Sequence, residues 1–104
     1  MTAFSGSGRL ADVAKVLRMT TLVRDDAELA LTLELQEADS NGITELQFLN
    51  VSGLKFRGHQ TEFNRQVLLM AEDISSLRWE NANFIVKDYE DRFISFRCNR
   101  IRKL

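Results

Sequence analysis

Few side chains in this sequence could do covalent or metal chemistry. There is one histidine, His59, and one cysteine, Cys98. A Ser-His-Asp or Cys-His relay needs its imidazole held within hydrogen-bond reach of a nucleophile. His59 lies in the polar stretch 58–65, and no Gly-x-Ser-x-Gly surrounds any serine, so it reads as a surface-loop histidine. Cys98 follows Ile94 and Phe96 at every second position. That parity places its thiol on an apolar face, where free cysteine acts as a small hydrophobe rather than a thiolate.

One His and one Cys do not complete a zinc site within one chain, so no metal is expected. Asp39-Ser40-Asn41-Gly42 has the composition of a calcium loop without the spacing of its later ligands. Asp73, Glu80, Asp88, Glu90 and Asp91 could in principle supply a glycosidase pair. With fifteen acids in 104 residues, such pairs arise without function. Gly-x-Gly-x-x-Gly and Walker A motifs are both absent, so no phosphate cradle or nucleotide cofactor is indicated. These residues point away from an enzyme and from any cofactor.

The aromatic residues and the charges point to binding instead. Phe48, Phe56, Phe84 and Phe96 share parities with Leu, Val and Ile and read as core. Trp79 stands apart, between Arg78 and Glu80 in a polar connection. A Trp there either plugs one end of the core or marks a contact surface. Arg97, Arg100, Arg102 and Lys103 crowd the C-terminal end, behind Asp88, Glu90 and Asp91. They read as a solvated tail and hairpin tip, or as a basic edge for an anionic partner. Arg78, Trp79, Asp88, Glu90 and Asp91 are therefore the candidate partner contacts.

The elements that must position them are strands. Leu29, Leu31, Leu33 and Leu35 occupy every second position, which gathers them on one face of a strand and scatters them round a helix. Asn41-Gly42 after them is a hairpin signal. Residues 43–57 read as one strand, or two joined by a kink or bulge at Gly53. Residues 67–74 are apolar on both parities at first, which fits a strand covered on both faces, with a short buried helix as the alternative. The connection 75–83 has room for one helical turn, with Asp73 or Ser75 near its start. Residues 84–89 and 93–101 form a last hairpin. Residues 13–24 fit a strand, with a short opening helix as the alternative.

About six strands joined by short turns give an all-β fold, mainly antiparallel, with neighbouring strands paired in sequence. A meander, half-barrel or small sandwich satisfies that pattern. Residues 9–104 are expected to form a single β domain behind a flexible leader, 1–8. The chain has no proline, so its sheet edges must be protected by charge or by cover.

Composition agrees. Hydrophobic residues make up 44% and charged residues 28%, an ordinary globular balance. The formal net charge of −1 is unlike that of strongly basic nucleic-acid binders, so no nucleic-acid partner is expected. No signal-peptide pattern or long apolar run is present, which predicts a cytoplasmic protein away from the membrane.

One resemblance bears on function. The segments Leu46-Gln47-Phe48-Leu49-Asn50-Val51-Ser52-Gly53-Leu54, Ala71-Glu72-Asp73-Ile74, Trp79-Glu80, Val86-Lys87-Asp88-Tyr89-Glu90 and Ile94-Ser95-Phe96-Arg97-Cys98 resemble small bacterial all-β proteins of uncharacterised function. Some of those are grouped with immunity proteins of toxin systems. The resemblance implies a fold style and no catalytic residue. With the residue pattern, it predicts a non-enzymatic protein-binding module, with an immunity-type inhibitor as one version. A homo-oligomeric structural protein, a homodimer in the simplest case, is the alternative, followed by a small ligand-binding barrel or enzyme.

Overall fold

The four alternating leucines behave as a period of two requires. In the computed structural model Leu29–Glu37 is a strand that buries Leu31, Leu33 and Leu35 and leaves Thr32, Glu34 and Gln36 partly exposed. The structure describes residues 2–3, 5–10, 14–24, 28–37, 42–56, 66–79, 82–89 and 94–104.

Among these, eleven strands follow in chain order. They are β1 (Thr2–Ala3), β2 (Gly8–Arg9), β3 (Ala14–Val23), β4 (Leu29–Glu37), β5 (Ile43–Leu49), β6 (Ser52–Phe56), β7 (Gln66–Val67), β8 (Leu69–Asp73), β9 (Phe84–Asp88), β10 (Ile94–Cys98) and β11 (Arg100–Lys103). A 3-10 turn, Ser75–Leu77, follows β8. The strands make two antiparallel sheets, ordered β1-β11-β5-β4-β3-β7 and β2-β8-β9-β10-β6. Of the expected architectures this is the two-sheet one. Residues 14–23 are strand, not helix.

The excess over six strands has two sources, the short N-terminal strands β1 and β2 and a set of bends. Three of the six expected segments bend out of one sheet into the other, so each counts twice. β5 continues into β6, β10 into β11, and β7 into β8. Pairing is accordingly not sequential throughout. β3-β4-β5 and β8-β9-β10 are meanders, but β5 also pairs β11 and β6 pairs β10. Those long-range pairings tie the C-terminal hairpin to the middle of the chain. The apolar run at 67–70 is likewise one-faced: Val67 and Leu69 are buried, while Leu68 and Met70 are half-buried. Its second parity marks the bend at Leu68, not cover on both faces.

Short strands also occur within the expected leader, at Thr2–Ala3 and beginning at Gly8. β1 pairs β11, β2 pairs β8, and the Ser7 hydroxyl accepts the Asp73 amide at 2.8 Å. These contacts put short strands along an edge of each sheet.

The inner faces meet in one core. Phe48 from the first sheet and Phe96 from the second pack edge to face, with ring centroids 4.8 Å apart. Such a pair adds about 0.5–1.5 kcal/mol beyond its burial. Leu31, Leu33, Leu35 and Leu46 surround it from one side; Leu69, Val86, Ile94 and Cys98 do so from the other.

Each bend removes ladder partners from the backbone, and each is repaired by a specific group. At the first, Asn50 takes the left-handed conformation (φ 58°), and the Val51 amide donates to the Leu29 carbonyl at 2.8 Å. At the second, the Asn99 amide donates to the Leu49 carbonyl, and the Asn83 side chain donates to both the carbonyl and the side-chain oxygen of Asn99. At the third, the Leu68 amide donates to Asp88 Oδ1 at 2.9 Å, and the Leu68 carbonyl accepts the Tyr89 amide. The kink anticipated at Gly53 is a bulge: Ser95 opposes Lys55 while Arg97 opposes Ser52.

Asparagine tolerates the left-handed region better than β-branched residues do. Asn50→Val should lower unfolding stability by about 1–2 kcal/mol, whereas Asn50→Gly should hold or raise it. Urea titration followed by circular dichroism reads both.

Candidate functional site

The turn after β8 builds the platform for Trp79. Asp73 Oδ1 accepts the Ser75 amide at 2.9 Å, which starts the 3-10 turn. Hydrogen bonding by Ser75, first through its side chain and then its amide, holds the Asp73 carboxyl below its ordinary 3.8. This support is complete above the ordinary carboxylate range and is lost as pH falls through the lowered value. Arg78 closes the turn in the left-handed conformation (φ 54°), with its amide donating to the Ser75 carbonyl at 3.1 Å. The chain is thereby re-aimed so that Trp79 follows on the surface.

Trp79 is 48% exposed, so it does not plug the core. The Arg97 guanidinium lies over its ring, 5.9 Å from the centroid. Such a cation–π contact contributes about 0.5–1 kcal/mol at an exposed site. Arg97 reaches the ring by crossing Gly53: a Cβ built there would stand 2.9 Å from Arg97 Nη2. Gly53 also has a φ of +62°, a conformation that favours glycine, and a Cβ there would displace the far end of the flexible Arg97 side chain. Arg97 was absent from the candidate contacts predicted by sequence. Its signal was parity, since it points away from Cys98 along β10, but its partner Trp79 lies eighteen residues earlier and could not be read off.

The remaining candidates separate. Arg78 is exposed beside Trp79. Asp88 is not part of a solvated acidic tip: it is 1% exposed and accepts the Leu68 amide, so it serves the third bend and cannot meet a partner. Its acidic neighbours give this carboxylate at the end of β9 the character of a surface acid, yet the orphaned amide that recruits it lies between β7 and β8. Glu90, Asp91, Glu80 and His59 lie outside the described residues. The C-terminal basic cluster is split as well. Arg97 faces outward on the second sheet, while Arg100, Arg102 and Lys103 belong to β11 in the first.

Strand register collects the rest of the surface. Residues directly opposite in an antiparallel pair share a face. One outer row of the second sheet therefore runs Arg9, Met70, Lys87, Ser95, Lys55, and the next runs Glu72, Ile85, Arg97, Ser52. Lys87, Lys55 and Arg97 are exposed. Among the described residues, no group of three or more His, Cys, Asp or Glu could hold a metal ion, and no helix is long and apolar enough to cross a membrane. Compared with known proteins, the chain matches no family model, no curated protein and no solved structure.

Cys98 is fully buried, and burial pushes its thiol up from 9.0 to about 12. It should resist a thiol-reactive dye at neutral pH in the native state and react at once in urea. The raised value favours the folded state below pH 9.0, and that support should decline as pH climbs from there toward 12. Asp88→Ala orphans a backbone donor and should cost about 1–3 kcal/mol, with Asp88→Asn costing less because it keeps an acceptor oxygen. Equilibrium unfolding of the two variants reads that difference.

Proposed function

We propose that this protein is a non-enzymatic binding module whose partner docks on the outer face of the second sheet, around Trp79 and Arg97. The observation that carries the reading is the exposed Trp79 under the Arg97 guanidinium. Trp and Arg dominate the energetics of binding interfaces, and here the two are pre-arranged against each other. The groups best suited to covalent or acid–base chemistry support the non-enzymatic part. Cys98 is a buried thiol with a raised pKa, and Asp88 is committed to a backbone amide.

A protein partner on this face would have to present carboxylates to Lys55, Lys87 and Arg97. An immunity-type role therefore suits an acidic partner better than a basic nuclease, since like charges facing each other oppose docking. A second reading, self-association, has its own observation. Among the described residues β3 is paired on its outer side only at Ala14 and Lys15, and Leu22 and Val23 beyond them are 63% and 67% exposed. Such an edge can add a strand from another copy.

Affinity capture from source lysate at low and high salt, beside sedimentation of the purified chain, separates the readings. A stoichiometric partner lost by Trp79→Ala or Arg97→Ala, with circular dichroism unchanged, is the expected result. Each truncation should weaken binding by about thirtyfold, as for an interface hot spot. Capture unaffected by both variants would place the contact elsewhere. A dimer abolished by Leu22→Lys would move the reading to self-association.

A further inference from the structure

Charge on this molecule is unevenly placed. The whole chain has a formal net charge of −1. The outer face of the second sheet has the opposite sign: its paired rows carry Lys55, Lys87 and Arg97 against the single carboxylate Glu72, with Arg9 at the β2 edge and Arg78 beside Trp79. Among the described residues no carboxylate forms an ion pair with Lys55, Lys87 or Arg97, while one ion pair, Arg18 with Glu34, lies on the first sheet.

The spacing is regular. Lys55 and Lys87 flank Ser95 in one row, so their backbones stand about 10 Å apart, two strand spacings. Arg97 lies two residues along β10 from that row, about 7 Å away.

The aromatics complete the pattern. The exposed large hydrophobics include two aromatic residues, Trp79 and Tyr89. Trp79 sits by the Arg97–Ile85 pair, at the start of β9. Tyr89 follows the other end of β9, one position past Asp88 and in the parity of Ile85 and Lys87. Phe48, Phe84 and Phe96 are all buried. The exposed aromatics thus bracket one cationic strip.

We propose that this face binds single-stranded nucleic acid, with Trp79 and Tyr89 as stacking platforms for bases and Lys55, Lys87 and Arg97 as phosphate contacts. This rests on the reading of the Trp79–Arg97 face as the partner surface. Cations interleaved with exposed aromatic rings are what a sequence-tolerant single-strand site needs, because every base has a π-face and every nucleotide a phosphate. An acidic protein segment would satisfy the cations, but it does not carry a flat base beside each negative charge to stack on Trp79 and Tyr89. The buried Phe residues explain why composition alone conceals such a site.

The chain's sole tryptophan is its own probe. The intact protein is titrated with a short oligothymidylate at low salt, and separately with polyglutamate, while Trp79 fluorescence is followed. The expected result is saturable quenching by the oligonucleotide, with log K falling linearly against log salt. Lys55→Ala with Lys87→Ala should reduce that slope by about 1.4, two single-strand phosphate contacts. Lys15→Ala, on the first sheet, should leave it unchanged. Trp79→Ala, read by anisotropy of a labelled oligonucleotide, should weaken binding by about 5- to 150-fold.

No quenching at low salt, or binding indifferent to the paired lysine substitutions, overturns the proposal. Quenching by polyglutamate alone overturns the nucleic-acid assignment and leaves the binding surface standing. Silence toward both ligands, together with partner capture unaffected by Trp79→Ala, overturns both.

Discussion

Three segments of this chain change sheets, and satisfying the backbone where they do so is the constraint on which the rest depends. An antiparallel ladder pairs its amides and carbonyls automatically; a strand that bends out of one sheet strips them at the bend. Buried without partners, such groups would cost more than the bend gains. The protein answers with a different device each time. Asn50 takes a left-handed turn, Asn83 and Asn99 pair their side chains and backbone, and Asp88 accepts the Leu68 amide. With the bends secured, both inner faces close on Phe48 and Phe96.

The same bends create the candidate surface. The β5–β6 bend delivers Ser52 and Gly53 to the second sheet opposite Arg97, and the bulge there leaves room for the guanidinium to pass over a residue without a side chain. The turn after β8 then sets Trp79 beneath it. A feature of the fold and a feature of the surface therefore share a residue, Gly53. Its φ of +62° favours glycine, and a Cβ there would push the Arg97 guanidinium aside.

Groups with chemical potential were divided between structure and surface by the tertiary contacts. Cys98 went to the core, as its parity required, and is held neutral there. Asp88 is the less obvious case. Its parity with Phe84 and Val86 hints at the inner face, but the amide it serves is twenty residues away and does not show in Lys87-Asp88-Tyr89. Net charge misleads for a related reason. It sums over the molecule, whereas an approaching ligand meets one face, and register alone decides which charges share that face.

Much of the architecture was legible in the residue pattern. Period-2 alternation at Leu29 to Leu35 and Ile94 to Cys98 determined the strand class, the buried parity and the core position of the thiol, because alternation is a local property of a pleated backbone. Gly53 announced a bulge by being glycine inside an apolar strand. Pairing β5 with β11 and β6 with β10, the sheet-to-sheet bends, the burial of Asp88 and the meeting of Arg97 with Trp79 were decided only in three dimensions. Each joins residues far apart in the chain. Local pattern reports which face a side chain takes, but not which strand arrives opposite it; that choice belongs to the packing of the two sheets as a whole.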